Sequence, residues 1–344
     1  KGAGKAAGFL DDTYMDAGAE LVEIENDEVK KIVDIVLCVQ PPNKKFLSHL
    51  KPGSFLVGLL NPYGNKLLAE TLKSKNISAI ALELLPRISR AQSSDALSSQ
   101  ANIAGYKSVL LAASALDRYF PMLMTAAGTI QPSKIVVLGA GVAGLQAIAT
   151  AKRLGAVVYV SDIREAVKEQ VESLGARFIE LPKIDETPSE SGGYAKQVSD
   201  EFIVAQRKEL AKQLSEADVA ICTAQVPGKK APKLIDEKML DDMRPGSVVI
   251  DLAVLSGGNC ACSKPGETIV REGVKIIGAS NLPCSIPNHA SSLYSRNLLS
   301  LLQPMFKEGK FLIDNDDELI AGSLISKDGV ILKSEIIENG GTRS

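Results

Sequence analysis

Three glycines near the middle of the chain are spaced for binding a phosphate. Gly139, Gly141 and Gly144 form the pattern G-x-G-x-x-G between the apolar run KIVVL and a helical pattern that begins at residue 142. In a strand–turn–helix unit the first glycine permits the tight turn, the second lets backbone approach a pyrophosphate, and the third lets helix and strand pack closely. The helix N-terminus adds unpaired N–H groups and a positive dipole end. This context predicts a dinucleotide-binding turn rather than a tight turn without a ligand.

A carboxylate follows the glycines at the spacing that this chemistry needs. Asp162 ends the next predicted strand, 23 residues after Gly139. From this position an acidic side chain accepts hydrogen bonds from the hydroxyls of an adenosine ribose. A carboxylate there disfavours a 2′-phosphate, so the sequence predicts NAD(H) in preference to NADP(H). Arg164 lies two residues further on, and beside Asp162 it is predicted to contact the ribose edge or solvent rather than a 2′-phosphate.

A second group of polar side chains lies within nine residues of loop. Arg87, Arg90, Gln92 and Asp95 directly follow a predicted strand and Pro86. Open α/β sheets bind ligands at the carboxyl ends of their strands, so the loop is a candidate site. The alternative is a solvated loop that leads into a helix, with Ser94 or Asp95 as N-cap. The spacing alone does not decide between them.

Other polar features favour ordinary structure. The polar segment 182–200 contains Gly193 and Tyr194, which would suit a lid over a ligand, but a flexible loop is the better interpretation. The two histidines, His49 and His289, belong to no recognisable acid–base group, and no metal-ligand cluster is apparent. Cys260-Ala-Cys262 is interpreted as ordinary thiols because no second pair accompanies it.

Short apolar runs alternate with helical patterns along the chain, which predicts parallel sheets with helices on both faces. We predict an α/β fold of two Rossmann-like, doubly wound parallel-sheet domains joined by long helices at 95–119 and 291–306. The outer domain would comprise residues 1–97 and 288–344, and the dinucleotide-binding domain residues 98–287. The predicted strands are 34–39, 54–60, 77–82, 134–138, 156–160, 177–179, 218–222, 247–252 and 274–277, and two further helices are predicted at 142–154 and 164–174.

Composition excludes several classes of protein. The 344 residues suit two domains, and a net charge of −2 gives no basic surface for nucleic acid. With 45% hydrophobic residues the chain is not disordered. The most apolar long stretch, 108–128, is interrupted by Asp117 and Arg118, so no membrane span is predicted. Five cysteines indicate a reducing compartment. The first residue is Lys1, which suggests a fragment, a processed form or one domain of a larger protein.

Six segments together resemble the NAD(H)-binding domain (domain I, or the N-terminal part of the alpha subunit) of the proton-translocating transhydrogenases. The resemblance covers nearly the whole chain, and the wider superfamily includes alanine dehydrogenase. It implies two Rossmann-like domains, NAD(H) in the cleft and a dimer as the working unit. Members of the family normally begin with a further strand and helix before the segment that resembles residues 1–21. The six segments are PRISRAQSSDALSSQANIAGYKSV, VLGAGVAGLQAIATAKRLGA, EQVESLGA, SGGYAK, PGKKAP and PGSVVIDLAVLSGGNC.

The resemblance also implies roles for individual residues. Gln92 would orient the nicotinamide carboxamide, while Arg87 and Asp95 would position the nicotinamide ribose and neighbouring groups; these three are the candidate catalytic residues. Gln225 falls where relatives often carry an apolar residue, and Leu255 replaces an acid that both transhydrogenases and alanine dehydrogenases often keep. The candidate cofactor-binding residues are Ile88, Ser89, Gly139, Gly141, Val142, Gly144, Asp162, Ile163, Arg164, Gly193, Tyr194, Gln206 and Gln225.

The implied reaction needs no general acid or base. Hydride would pass directly from C4 of NADH on this chain to C4 of NADP+ on a separate domain, coupled to proton translocation by a membrane domain absent from this chain. The protein would be a soluble domain of a membrane-associated complex. Alternatives are an alanine dehydrogenase-like oxidoreductase and a non-catalytic NAD-binding domain. The stretches where alanine dehydrogenase carries its substrate Lys and His read CVQP from Cys38 and GLLN from Gly58.

Overall fold

The chain forms two compact units. The computed structural model describes residues 1–23, 31–180 and 200–339, apart from the side chains of 200–204, 206, 338 and 339. Unit 1 comprises Lys1–Ala101, Pro227–Lys229 and Pro283–Ser344, and unit 2 comprises Asn102–Val226 and Lys230–Leu282. Unit 1 is therefore assembled from separate stretches of chain.

Strands and helices alternate through most of the described chain. The strands are β1 Ile35–Cys38, β2 Phe55–Gly58, β3 Ser78–Ala81, β4 Leu123–Thr125, β5 Gly128–Ile130, β6 Lys134–Leu138, β7 Val157–Ser161, β8 Arg177–Phe178, β9 Val219–Cys222, β10 Val248–Asp251, β11 Thr268–Arg271, β12 Val274–Gly278, β13 Phe306–Lys307, β14 Lys310–Phe311, β15 Leu324–Lys327 and β16 Val330–Ile331. The helices are α1 Asp11–Asp16, α2 Lys44–Ser48, α3 Lys66–Ser74, α4 Ala96–Ala115, α5 Val142–Arg153, α6 Lys168–Ser173, α7 Asp200–Ser215, α8 Glu237–Asp241, α9 Pro287–Leu302, α10 Glu318–Ser323 and α11 Ser334–Asn339.

Unit 2 is built on a seven-stranded sheet. Its strand order is β11-β12-β10-β9-β6-β7-β8, and every pair is parallel except β11 with β12. The chain starts at β6, moves outward through β7 and β8, and then returns to β9 on the other side of β6. The boundary between β6 and β9 is thus a topological switch point, where open α/β sheets bind ligands at the carboxyl ends of the strands.

Apolar burial on both faces holds this sheet. Ile135 and Val137 of β6 enter one core cluster, while Val136 and Leu138 enter the other. Side chains alternate across a strand, so a continuous apolar run packs against both helical layers. This explains why KIVVL forms a central strand.

Unit 1 is built on a five-stranded sheet of order β1-β2-β3-β15-β16. The first three strands are parallel, whereas β15 and β16 run antiparallel to their neighbours. Phe55 and Val57 of β2 enter a core with Leu298 of α9, and Leu56 enters the opposite core.

The predicted α/β class is confirmed, with corrections in detail. Strand β6 has the predicted bounds, and the predicted helices at 95–119, 142–154 and 291–306 correspond to α4, α5 and α9. The predicted helix at 164–174 is a short 3-10 turn followed by α6. The sequence did not predict the antiparallel strands β11, β15 and β16 or the hairpin of β4 and β5. Among the described residues, no helix is long and apolar enough to cross a membrane.

Candidate functional site

The glycine turn lies at the carboxyl end of β6. Gly139 has φ +99°, a left-handed conformation that favours glycine, and its N–H donates to Ser161 O at 2.8 Å. Gly141 is the N-cap of α5, and no side chain caps the helix. Because the first N–H groups of a helix have no partner within it, this end of α5 presents donors and a positive dipole end.

Gly144 and Gly141 have opposite steric surroundings. A Cβ added to Gly144 would lie 1.9 Å from Gly139 O, whereas one added to Gly141 would meet nothing within 4 Å. Gly144 is therefore required for packing of the turn against α5, and Gly141 borders open space. Gly105 of α4, which the sequence did not single out, makes another close approach: its added Cβ would lie 2.1 Å from Ala143 O.

Asp162 ties the glycine turn to the end of β7. Its Oδ2 accepts the N–H of Ala140 at 2.7 Å and Nη2 of Arg164 at 2.9 Å. Its Oδ1 accepts the Arg164 N–H at 2.9 Å and Nε at 3.0 Å. The Asp162 side chain is only 6% exposed. Burial acts to raise its pKa, but the hydrogen bonds from the Arg164 side chain and the two N–H groups outweigh it and hold the pKa below its usual value.

The arginine thus has a partner that the sequence did not predict. Arg164 was expected at the ribose edge or in solvent, yet its guanidinium pairs with Asp162. Ile163, between them, is exposed, as is Val142 at the start of α5. These residues converge with Gly139 and Gly141 at one edge of the sheet.

The loop after β9 is fastened by an asparagine that the sequence did not reveal. Asn259 is fully buried; its Nδ2 donates to Ala224 O at 2.9 Å and Pro232 O at 2.8 Å, and its Oδ1 accepts the Ala224 N–H at 3.1 Å. Gln225 lies next in the loop and donates from Nε2 to Leu252 O at 2.8 Å. The only signal for Asn259 is its place in the segment GGNC, which follows β10.

In unit 1 the segment of Arg87, Gln92 and Asp95 lies between β3 and α4. Asp95 accepts the Ser98 N–H at 2.9 Å on Oδ1 and the Ser98 hydroxyl at 2.6 Å on Oδ2. The carboxylate therefore caps α4, which was one of the two interpretations left open by the sequence. A capping carboxylate keeps further lone pairs, so a cap and a ligand contact are compatible.

The two arginines of this segment differ in their partners. Arg90 forms a two-pronged ion pair with Asp317, the N-cap of α10. Arg87 is exposed, and no carboxylate in the described part of the chain pairs with it. Gln92, in the 3-10 helix Ser89–Ser94, is also exposed. Ser89 is exposed and Ile88 is half-buried. The polar groups available to a ligand here are therefore those of Arg87 and Gln92.

Some predicted residues cannot be placed. Gly193 and Tyr194 lie outside the described residues. Gln206 belongs to α7 by its backbone, but its side chain is outside what the structure describes. Among the thiols, burial raises the pKa of Cys260 to about 11, so this group is a protonated thiol at neutral pH.

Comparison with known proteins places the chain in a family. Residues 1–104 match the N-terminal domain and residues 108–334 the C-terminal domain of alanine dehydrogenase/PNT. The first of the parts that make up the NAD(P) transhydrogenase subunit alpha of Rhodospirillum rubrum is 45% identical over 348 residues, covering 99% of this chain and 90% of that protein.

Solved structures agree with the sequence relatives. A transhydrogenase from Sinorhizobium meliloti superposes with a TM-score of 0.82 at 40% identity, covering 96% of this chain and 88% of that one. An L-alanine dehydrogenase superposes with a TM-score of 0.77 at 26% identity, covering 98% and 88%. The chain therefore belongs to the alanine dehydrogenase/PNT family, within which it is most similar to the alpha subunits of NAD(P) transhydrogenase.

Proposed function

We propose that this chain is the NAD(H)-binding component of a proton-translocating transhydrogenase. Hydride would pass directly from NADH on this chain to NADP+ on a separate domain, coupled to proton translocation by a membrane domain. The observation that carries the proposal is the glycine turn at the switch point of unit 2, with an uncapped helix N-terminus and an ionised carboxylate beside it. The family membership narrows this site to transhydrogenase.

The residues of unit 2 fit the adenosine half of NAD(H). The open space at Gly141 admits a pyrophosphate, and the N–H groups of the first turn of α5 would donate to it. Asp162 would accept the ribose hydroxyls in place of the Arg164 guanidinium, which now occupies both carboxylate oxygens. Because the pKa of Asp162 lies below its usual value, the carboxylate is charged at neutral pH and repels a 2′-phosphate.

The residues of unit 1 fit the nicotinamide half. Gln92 carries an amide that both donates and accepts, which matches the carboxamide of the ring. Arg87 and Asp95 would position the nicotinamide ribose and its neighbours, with Ile88 and Ser89 beside them. When bound, NADH supplies the hydride from C4 of its ring. The contribution of these side chains is to hold the ring in a reactive orientation, which is the main requirement when two rings exchange hydride without a proton.

Partners follow from the same proposal. This chain would work beside an NADP(H)-binding domain and a membrane proton-channel domain, as a soluble domain of a membrane-associated complex. Nucleic acid is not a proposed partner, because the net charge of −2 provides no basic excess.

A homodimer is also part of the proposal, and the hairpin of β4 and β5 supports it. Met122 and Met124 are 56% and 79% exposed, and Ile130 at the other end of the hairpin is 41% exposed. Apolar side chains grouped in this way mark an interaction surface. We expect Met124→Lys to convert the dimer to monomer, as measured by sedimentation equilibrium. The exposed Met15→Lys is the matched control. A Met124→Lys protein that remains dimeric would remove the hairpin from the interface.

The direct test is hydride transfer from NADH to an NADP+ analogue, with and without an added NADP(H)-binding domain of a transhydrogenase. Transfer only with the added domain supports the proposal. Reduction of pyruvate with ammonium by the chain alone would instead establish an alanine dehydrogenase. NADH binding with neither reaction would indicate a non-catalytic NAD-binding domain.

Two glycine substitutions separate folding from binding. Gly144→Ala should lower the free energy of unfolding by about 3 kcal/mol or more, because the methyl group collides with backbone. Gly141→Ala should cost about 1 kcal/mol or less, since its methyl group enters open space. Gly141→Ala should nevertheless weaken NADH binding about tenfold, because the methyl group lies where the pyrophosphate must approach. Urea unfolding and NADH titration measure the two effects, and wild-type affinity in Gly141→Ala would place the pyrophosphate elsewhere.

A further inference from the structure

Helix α9 carries a buried asparagine that contacts the segment of Gln92 and Asp95. Asn297 is 8% exposed, on the face of α9 that also carries the buried Tyr294 and Leu298. Its Nδ2 donates to Ser93 O at 2.8 Å, and its Oδ1 accepts the Ser99 hydroxyl at 2.8 Å. All of these residues belong to unit 1.

The chemistry of the partners fixes the orientation of this amide. A backbone carbonyl only accepts hydrogen bonds, so the atom that faces Ser93 O must be Nδ2. Oδ1 then faces the Ser99 hydroxyl, which donates to it. Both ends of the amide are satisfied, which is the condition for burying a polar side chain without a large penalty.

The two bonds bracket the candidate catalytic residues. Ser93 directly follows Gln92, and Ser99 lies in the first turn of α4, four residues after Asp95. Asn297 therefore joins the segment that carries Gln92 to the helix that Asp95 caps. An apolar residue at this position of α9 would pack in the core without contributing to that connection.

We propose that Asn297 is a positioning residue for Gln92 and Asp95. It holds the 3-10 helix Ser89–Ser94 and the start of α4 in one arrangement, so that the Gln92 amide meets the nicotinamide carboxamide in a fixed orientation. Asn297 touches neither the nucleotide nor the reacting atoms in this role. The inference rests on the proposed function, because it gives Asn297 a purpose only where Gln92 orients a ring.

Asn288 supplies a matched control on the same helix. Its Nδ2 donates to Ala7 O at 2.8 Å, also within unit 1, but it makes no hydrogen bond to the segment of Gln92 among the described residues. Asn288→Ala and Asn297→Ala each remove one amide that binds a backbone carbonyl. A general loss of stability in α9 would therefore affect both variants.

The experiment compares these variants in the full chain with an added NADP(H)-binding domain. Asn297→Ala should slow single-turnover hydride transfer about tenfold or more, while the Kd for NADH changes by about twofold or less. Asn288→Ala should leave both quantities near wild type. In a Gln92→Ala background, Asn297→Ala should slow transfer by about twofold or less, because the side chain that it positions is gone.

Several results would overturn the proposal. An equal slowing by Asn297→Ala with and without Gln92 would show that Asn297 does not act through Gln92. Wild-type transfer in Asn297→Ala alongside slow transfer in Gln92→Ala would refute the role of Asn297 alone, whereas wild-type transfer in Gln92→Ala would refute the proposed function itself. If Asn297→Ala does not fold, Ser99→Ala removes the Oγ bond to Asn297 and should slow transfer about threefold; an unchanged rate there counts against the proposal.

Discussion

Replacing Gln92 by alanine should slow hydride transfer from NADH to NADP+ about 100-fold while NADH affinity changes by about threefold or less. The side chain is exposed in a short 3-10 helix, so its loss costs little in folding. Most of the proposed binding free energy comes from the pyrophosphate and ribose contacts at Gly141 and Asp162, which the substitution leaves intact. What is lost is the amide that sets the angle of the ring. An error of about 1 Å in that placement is enough to produce the expected slowing.

The measurement is stopped-flow transfer under single-turnover conditions together with an equilibrium titration of NADH. Gln303→Ala, an exposed glutamine of the same unit, is the matched control and should behave as wild type. Gln92→Asn keeps the amide on a shorter stem and should give an intermediate rate. If Gln92→Ala weakens NADH binding and slows transfer by the same factor, the side chain acts in binding and not in orientation.

Local sequence signals predicted the parts of the site that are local in structure. The strand β6, the turn at Gly139 and the start of α5 lie within a few residues of each other, and each glycine has a steric task there. Asp162 followed from the same unit because a second parallel strand must end beside the first. Such units are self-contained, so a single sequence is enough to find them.

The contacts that hold the second half of the site are distant in sequence. Asn297 and Ser93 are separated by 204 residues, and Arg90 and Asp317 by 227 residues. No periodicity in the sequence connects these positions. The two arginines at 87 and 90 therefore look equivalent in the sequence, and only the fold shows that one is paired and the other exposed.

The missed strands have the same physical origin. The four residues of β15, LISK, are too short to identify as a strand, and they form one because β3 offers an unpaired edge to them. Strand β11 likewise forms by antiparallel pairing with β12 at the edge of the sheet in unit 2. Edge strands depend on the partner that they find, so their assignment needs the tertiary structure.

Replacing Asp162 should change which dinucleotide the chain prefers. We expect Asp162→Ala to weaken NADH binding about 30-fold, because hydrogen bonds from the ribose hydroxyls to a charged acceptor are among the stronger ones. NADPH binding should strengthen at the same time. The substitution removes the charge that repels a 2′-phosphate and also frees the Arg164 guanidinium, which Asp162 now holds through Nε and Nη2. The ratio of the two affinities should therefore fall by about 100-fold.

The experiment titrates wild type, Asp162→Ala and Asp162→Asn with NADH and NADPH at pH 5 to 8. Asp162 has a lower pKa in the folded chain than in the unfolded chain, so its carboxylate stays charged and wild-type discrimination should be constant over this range. The same shift stabilises the fold above the unfolded pKa, and this contribution is lost as the pH falls through the folded pKa. Glu169→Gln, which removes an exposed charge elsewhere in unit 2, is the control.

Asp162→Asn separates the two roles of the carboxylate. It keeps an oxygen that accepts the Ala140 N–H, so the glycine turn stays tied to β7, but it loses the charge. Discrimination should then collapse in both variants, while the free energy of unfolding falls further in Asp162→Ala than in Asp162→Asn. If both variants bind NADH and NADPH in the wild-type ratio, the carboxylate does not face the ribose, and Asp162 serves only to anchor the turn.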